Sequence, residues 1–315
     1  MAEVFGETSE SVADSLPRTC TIVEKNAERE VYIVGTAHFS RESQEDVGIV
    51  MQTVQPHVVF LELCKNRLGI LELSEERVLE ESKDVSFHKL QQSIKKNGVV
   101  SGLMQILLLN LSAKITESLG MAPGGEFRRA FEEARRIPHC KVVYGDRPIG
   151  ITLQRAIGSL SFFQKLKFGF SMITSDIDLS PEDIEKCKEK DMLEQMLTEM
   201  AGEFPSLTRV FVDERDVFLA HSLKRSTQVQ LGPAGQYTRP IKVVAVLGIG
   251  HVNGVVKKWD EDLSEEVKKV LEVPKPTVAG RIVSLTVRTA VLASLAYGSF
   301  RLGRGTFRFF RGLVK

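Results

Sequence analysis

Polar side chains follow four short apolar runs of this sequence, at the point where each run ends. Two of them are histidines, His38 and His251, and each ends a Gly-x-x-His segment. Glu62 ends a third run, and Asp146 with Arg147 follows a fourth. Because sites in open α/β sheets lie at the carboxyl edge of the strands, we expect these side chains to meet there if the runs are parallel neighbours.

This combination of side chains has the chemistry of a transition-metal site. Imidazole with carboxylate suits Mn, Co, Zn or Fe(II), whereas ligand sets made only of oxygen suit Mg or Ca. The glycine ahead of each histidine permits a tight turn off the strand. A single Gly-x-x-His is common by chance, and the matched pair leaves two interpretations open: a metal site, or two hydrogen-bonded loop histidines. The candidate ligands are His38, His251, Glu62 and Asp146.

Two further charged segments lie beside apolar residues. Glu126 opens a helix after Gly124-Gly125, where exposed amides could bind an anion and the carboxylate could act as a ligand or base. It is also a first-turn acid favoured by the helix dipole, and the sequence alone favours this second interpretation. The run 213–216 is of a kind that is usually solvated. Its apolar neighbours are nevertheless compatible with part of the run being buried and paired.

Several other activities are not supported. The sequence has no H-E-x-x-H, no G-x-x-x-x-G-K-[ST] and no G-x-S-x-G. Gly248–Gly254 resembles a dinucleotide fingerprint, but the chain after it lacks the further βαβ structure that a Rossmann unit needs, so we expect no nucleotide. With a net charge of +1 and no evident basic fold surface, we expect no nucleic acid either. The remaining histidines are expected to be structural: His57, His88, His139 and His221.

Strands and helices alternate along the chain and would position these residues. Short apolar runs predict strands at 19–24, 29–34, 58–61, 141–144 and 242–247. Helical spacing predicts helices at 40–54 and 126–137 and through most of 150–230. The alternation predicts an α/β fold with a mixed, partly parallel sheet and flanking helices. The apolar stretch 103–119 is interrupted at Lys114, so we expect a core helix there and not a membrane span.

Composition predicts four segments: a disordered lead at 1–17, the α/β domain at 18–273, a linker at 274–280 and a basic, hydrophobic C-terminal helical tail at 281–315. Residues 282–300 contain a single charge, Arg288, and are long enough to span a bilayer. Three arrangements of the tail stay open: a membrane anchor, an amphipathic helix on an anionic membrane, and a helix packed on the core or on a partner. The four cysteines are widely spaced, which favours a reducing, intracellular compartment.

Taken together, these motifs resemble the TraB family (TraB/PrgY/GumN, related to the Tiki-type metalloproteases), in particular its eukaryotic TraB domain-containing members. The segments that carry the resemblance appear in family order: Val34–Ser40, Pro56–Cys64, Gly120–Phe127, Gly145–Ile149, Glu214–Asp216 and Val246–Gly254. The resemblance implies a fold like that of the erythromycin esterase/ChaN/Tiki/TraB group. It also implies a metalloprotease-like site with His38 and His251 as metal ligands and Glu62 as third ligand or base.

The function that the resemblance implies is a metal-dependent, peptidase-like hydrolase that uses Mn, Co or Zn. The catalytic candidates are Glu62, Glu126, Arg147 and Arg215, with Asp146 as a further ligand. The expected partners are a membrane, bound through the C-terminal tail, and an unidentified protein or peptide. The expected location is the mitochondrial outer membrane, facing the cytosol. The alternative is a catalytically silent, membrane-anchored adaptor or organelle contact-site protein.

Overall fold

The structure is a computed structural model that describes residues 15–37, 40–72, 124–161, 163–164, 205–228 and 240–273. The chain divides into two units, Met1–Val273 and Pro274–Lys315. Several predictions lie outside the described residues. They concern His38, most of the lead, the helix at 103–119, the segment 165–204, the linker and the C-terminal tail.

Five strands form one sheet: β1 (Cys20–Lys25), β2 (Arg29–Thr36), β3 (Val58–Leu61), β4 (Lys141–Tyr144) and β5 (Ile241–Gly248). Their order across the sheet is β1-β2-β5-β3-β4. The β1 strand pairs antiparallel with β2, and the other four strands are parallel. The predicted mixed, partly parallel α/β sheet is therefore confirmed, and each predicted strand is found within two residues of its expected ends.

Six helices of at least two turns flank the sheet in the described part of the chain: α1 (Arg41–Val54), α2 (Gly125–Arg136), α3 (Ile149–Ser159), α4 (Glu214–Ser226), α5 (Ile249–Lys257) and α6 (Ser264–Leu271). The predicted cap of α1 is present, because the Ser40 side chain accepts a hydrogen bond from the Ser43 amide. This helix ends in a left-handed residue, Gln55, directly before Pro56. A π-helical turn, Arg209–Asp213, leads directly into α4.

The helices cover both faces of the sheet, which makes three layers. Side chains of α1 and α2 pack on one face, against Tyr32, Val34, Val59 and Leu61. Side chains of α4, α5 and α6 pack on the other face, against Val31, Ile33, Phe60 and Val243. Burial on both faces explains why the central strands are continuous apolar runs and do not alternate with polar residues.

The register of the parallel strands brings their carboxyl ends together. Thr36 pairs with Gly248 across β2 and β5, and Leu61 pairs with Val246 in β5 and with Tyr144 in β4. We call this end of the sheet the carboxyl edge. Glu62, Asp146 and His251 follow these strands within three residues of their ends. The sheet therefore positions all three at the carboxyl edge, where sites of open α/β sheets lie.

Candidate functional site

The Arg215 side chain joins three of the predicted site residues. Its Nε and Nη2 donate to the two carboxylate oxygens of Asp146 at 3.1 and 3.0 Å. Nη2 also donates to Glu62 Oε1, and Nη1 lies 2.9 Å from Nε2 of His251. Residues that follow β3, β4 and β5 thus meet at one guanidinium supplied by α4. Together with Asp216, we call this set the Arg215 cluster.

The two carboxylates are fixed by hydrogen bonds that continue the sheet beyond its last residues. The Glu62 amide donates to the Val246 carbonyl, and the Asp146 amide donates to the Leu63 carbonyl, each at 3.2 Å. The Gly248 amide donates to Glu62 Oε2 at 2.7 Å. Glu62 and Asp146 are both buried. These bonds fix the main chain at both residues, and the carboxylates accept from the amides of Gly248 and Arg147.

The imidazole of His251 lies between a carboxylate and the guanidinium. Its Nδ1 is 2.6 Å from Asp216 Oδ1, and its Nε2 faces Nη1 of Arg215. A guanidinium only donates hydrogen bonds, so Nε2 must accept and carry a lone pair. The ring hydrogen then resides on Nδ1 and is donated to Asp216. This carboxylate sets the tautomer, as it does in catalytic triads and behind metal-bound histidines.

Asp216 approaches His251 closely because a glycine of α5 leaves space for it. A Cβ built on Gly254 would lie 1.8 Å from Asp216 Oδ2 and 2.4 Å from its Cγ. No side chain fits at this position unless Asp216 moves. The Asp216–His251 contact therefore depends on the glycine, which lies three residues after the histidine on the same helix.

Asp216 was not among the site residues predicted from the sequence. The available signal was the charged run 213–216 between apolar residues, together with the Glu214–Asp216 motif of the resemblance. The structure shows that Glu214 and Asp216 are buried and paired. The π-helical turn Arg209–Asp213 directly precedes these residues, and such turns are frequent at functional sites.

Electrostatics keep the guanidinium of Arg215 charged. Burial opposes its charged form, but the carboxylates of Glu62 and Asp146 outweigh this effect and raise the pKa of Arg215 above its ordinary value. Burial also raises the pKa of Asp216, and the hydrogen bond from His251 opposes that shift. One guanidinium faces two carboxylates here, in addition to the carboxylate behind His251. The Arg215 cluster thus has an excess of negative charge.

The side chain of Arg147, a catalytic candidate, is fully buried in a different network. It donates to Glu214 Oε2 at 2.8 Å, to Thr152 at 3.0 Å and to the carbonyls of Val210 and Val270. Glu214 also accepts two hydrogen bonds from Arg155. We call Arg147, Thr152, Arg155 and Glu214 the Arg147 network. Burial opposes ionisation of Glu214, but the hydrogen bonds from Arg155 and Arg147 prevail and lower its pKa.

The remaining candidates are placed as follows. Glu126 is almost completely buried in the first turn of α2, after Gly124, whose φ is 81°. Its catalytic role stays a prediction. His57 lies at the opposite end of the sheet, where its Nδ1 accepts from the Lys242 amide at 3.0 Å. His38 lies outside the described residues, so its predicted pairing with His251 stays a prediction as well.

A divalent metal does not fit the site with Arg215 in this position. Glu62, Asp146 and Nε2 of His251 all face the guanidinium, which fills the place between them. In the part of the chain that the structure describes, no group of three or more His, Cys, Asp or Glu side chains is arranged to hold a metal ion. The donor atoms have the right chemistry, but a cation of the protein already occupies their common centre.

A cleft beside Asp146 offers room for a ligand, with a volume of about 590 Å³. Apolar side chains form part of its wall, and Lys65 and Arg225 are the cationic residues that line it. The other lining residues are Cys64, Asn66, Val143, Tyr144, Gly145, Pro148, Phe218, Ser222 and Ser226. The Arg215 cluster therefore borders a cleft through Asp146.

None of the helices in the described ranges is long and apolar enough to cross a membrane. The tail at 281–315 is not among those residues.

Comparison with known proteins identifies the family of the chain. Residues 20–262 match the TraB/PrgY/gumN family, and this range includes every member of the Arg215 cluster. TraB domain-containing proteins of Mus musculus and Homo sapiens are each 46% identical over 297 residues, which is 93% of this chain and 78% of each relative. An uncharacterized protein of Methanocaldococcus jannaschii is 29% identical over 255 residues, which is 79% of this chain and 58% of that protein. The chain belongs to the TraB/PrgY/gumN family.

Proposed function

We propose that this protein is a hydrolase that cleaves a peptide-like amide bond or an ester bond, with His251 as the general base. The observation that carries the proposal is the hydrogen-bonded line Asp216–His251–Arg215 at the carboxyl edge. A carboxylate on Nδ1 leaves the lone pair of the imidazole on Nε2, where it can accept a proton. The adjacent guanidinium can stabilise a negatively charged oxygen.

The first step begins when the substrate carbonyl oxygen accepts the Nη1 hydrogen bond of Arg215. His251 Nε2 is then released to bind a water molecule. The water oxygen attacks the carbonyl carbon, the carbonyl π electrons move to its oxygen, and one water proton moves to Nε2. Asp216 stabilises the resulting imidazolium, and Arg215 stabilises the oxyanion.

In the second step, the oxyanion re-forms the carbonyl group and the bond to the leaving nitrogen or oxygen breaks. The imidazolium donates its proton to that leaving atom. The products are a carboxylic acid and an amine or alcohol. The acid contains the oxygen of the water molecule, and the leaving atom has received one of its protons. Glu62 and Asp146 act in this scheme by holding the guanidinium, because each accepts hydrogen bonds from it.

We place the reacting carbonyl group at Arg215 and His251, and the more distant groups of the substrate in the neighbouring cleft beside Asp146. Its apolar wall suits hydrophobic substrate groups, while Lys65 and Arg225 suit acidic ones. The metal-dependent route implied by the family resemblance would require Arg215 to leave its place, and it would include His38. That route stays a prediction, and we assign no step to a metal.

The test is hydrolysis by the full chain of two probe sets, p-nitrophenyl esters and quenched fluorescent peptides. We expect turnover by the wild type that persists in EDTA, that His251→Ala abolishes and that Asp216→Asn strongly reduces. Circular dichroism of each variant controls for folding. Equal rates in wild type and His251→Ala would refute the proposal. A folded wild type that hydrolyses neither set would favour the adaptor function.

We also propose that the C-terminal tail tethers the protein to a membrane, with the mitochondrial outer membrane as the location. The support is the sequence of 282–300, with one internal charge and several arginines after it. The test is alkaline carbonate extraction of cells that express the full chain or a Leu292→Arg/Leu295→Arg variant. Retention of the wild type alone in the mitochondrial pellet is expected, and release of both proteins would contradict tethering.

A further inference from the structure

The cleft beside Asp146 differs in charge from the Arg215 cluster that it borders. Its charged lining residues are Lys65, Asp146 and Arg225. Both oxygens of Asp146 accept hydrogen bonds from Arg215, and Oδ1 also accepts from the Arg147 amide at 2.7 Å. Lys65 and Arg225 are exposed, and their side chains make no hydrogen bond or ion pair with another described residue. The charge that the cleft offers to a ligand is therefore positive.

One face of α4 continues from the Arg215 cluster into the cleft. At about 100° per residue, Arg215 and the cleft residues of this helix lie within an arc of about 100°; these residues are Phe218, Ser222, Arg225 and Ser226. Arg225 follows Arg215 by ten residues, which is about 15 Å along the helix axis. An extended peptide advances about 3.3 Å per residue, so about four or five residues cover that length. A ligand that reaches from the cluster to Arg225 is therefore of peptide size.

The lining of the cleft combines its two cations with apolar side chains, among them Val143 and Phe218. The guanidinium of Arg225 matches a carboxylate in shape, and Lys65 adds a second positive charge. The excess negative charge of the Arg215 cluster repels a carboxylate, so a peptide is oriented with its acidic group in the cleft and its neutral scissile bond at the cluster.

We propose that the cleft binds the carboxylate of an acidic peptide, with Lys65 and Arg225 as specificity-determining residues. The carboxylate belongs either to an acidic side chain or to the C-terminus of the peptide. The proposal rests on the proposed function for the peptide nature of the ligand, but binding is measured separately from turnover.

The test is binding of labelled peptides to the full chain, followed by fluorescence anisotropy. His251→Gln serves as the background, so that hydrolysis does not consume the probe. The probes are short peptides of alanine and leucine with a neutral dye: one with a central Glu and an amidated C-terminus, one with Gln in place of Glu, and one with Gln and a free C-terminal carboxylate. We expect at least one acidic peptide to bind about tenfold more tightly than the neutral peptide, and the peptide that does so identifies the source of the carboxylate.

Reversing the charge of the cleft should reverse this preference. In the same background, Lys65→Glu/Arg225→Glu should lose the preference for the acidic peptide and bind a peptide with a central Lys more tightly. The matched control is Lys257→Glu/Lys268→Glu, which changes the net charge equally at exposed residues outside the cleft and should keep the preference. If circular dichroism shows that the double cleft variant does not fold, Lys65→Gln and Arg225→Gln take its place, and each should lose part of the preference.

Equal affinities for the three peptides, or no binding of any of them, overturn the proposal. A preference that the cleft variants keep, or that the control loses to the same extent, overturns it as well. Rates of the wild type on quenched forms of the same peptides separate this proposal from hydrolysis. Equal kcat/KM for acidic and neutral peptides leaves the hydrolase in place and contradicts the selectivity of the cleft. Selective binding without turnover of any peptide supports the cleft and contradicts the hydrolase.

Discussion

Three consecutive residues of α4 enter two buried ionic groups of opposite character. Glu214 belongs to the Arg147 network, where two guanidinium groups surround one carboxylate. Arg215 and Asp216 belong to the Arg215 cluster, where one guanidinium lies among three acidic side chains. The first group has an excess of positive charge, whereas the second has an excess of negative charge.

The surroundings of the two groups differ as much as their charges. Backbone carbonyls accept the remaining hydrogen bonds of Arg147 and Arg155, which ties α3 and α4 to the end of α6. The Arg215 cluster instead borders a cleft through Asp146, and it contains an imidazole nitrogen, Nε2 of His251, that accepts from Arg215. We therefore interpret the Arg147 network as structural and the Arg215 cluster as functional, although the same helix forms both.

The largest expected effect is loss of turnover in His251→Gln. Removal of the general base should lower kcat/KM on any probe that the wild type hydrolyses by about 10³–10⁴-fold. Glutamine retains polar atoms near Asp216, so the denaturant midpoint should change little. The measurement is initial rate beside urea unfolding. If stability fell strongly while the rate per folded molecule was unchanged, the cluster would be structural and the contrast with the Arg147 network would disappear.

The next effect belongs to the Arg147 network. Glu214→Gln removes the charge that pairs a fully buried guanidinium, which should cost about 3–5 kcal/mol of unfolding free energy. The matched control is Glu265→Gln, which breaks an exposed pair with Lys268 and should cost less than about 1 kcal/mol. Urea denaturation measures both variants. Similar small costs for the two would show that the network does not stabilise the fold.

A smaller effect is expected where α4 contacts α5. Gly254→Ala places a Cβ against Asp216, so it should cost about 1–3 kcal/mol and lower the rate by displacing the Asp216 carboxylate. Gly150→Ala in α3 is the control, because a Cβ there meets nothing within 4 Å. That change should stabilise the protein by about 0.5–1 kcal/mol. Thermal unfolding and initial rates should thus show opposite changes in stability for the two variants, and a lower rate only in Gly254→Ala, although both replace a helical glycine by alanine.

The smallest effect is the pH dependence of stability. The pKa of Glu214 is lowered from 4.5, so its stabilising contribution is present above that pH and is lost as pH falls through the folded-state pKa. Asp216 has a raised pKa, so ionisation of this residue above pH 3.8 costs stability. In Arg155→Gln we expect the free energy of unfolding to fall less steeply with decreasing pH than in the wild type. In Asp216→Asn we expect the loss of stability caused by ionisation of Asp216 above pH 3.8 to disappear. Chemical unfolding between pH 3 and 7 measures both, and superimposable profiles would contradict these assignments.

The sequence predicted the sheet because its signals are local. Val31–Val34, Val58–Leu61 and Val243–Leu247 are apolar runs that end at glycine or a polar residue, and the structure places each in a buried strand. Parallel pairing then brings Glu62, Asp146 and His251 to one edge. Each of these residues follows its strand closely, so the chain has little freedom to carry it elsewhere.

The centre of the site was harder to infer because it depends on contacts between distant segments. Arg215 is 153 residues from Glu62 along the chain, and its position depends on how α4 packs across the sheet. Adjacent residues can also point their side chains in different directions. Asp146 and Arg147 both follow β4, yet one side chain joins the Arg215 cluster and the other joins the Arg147 network. Strand position predicts the location of such a pair, but it does not predict which residue faces the cleft.

The tautomer of His251 decides whether this residue can act as the general base, and it can be measured without a substrate. Long-range ¹H–¹⁵N correlation of protein labelled with ¹⁵N-histidine reports which ring nitrogen carries hydrogen, and the spectrum of His251→Gln assigns the signal among the six histidines. We predict a neutral ring with hydrogen on Nδ1 and a lone pair on Nε2, and partial loss of that state in Asp216→Asn. Hydrogen on Nε2, or a ring protonated on both nitrogens at neutral pH, would contradict a base held between Asp216 and Arg215.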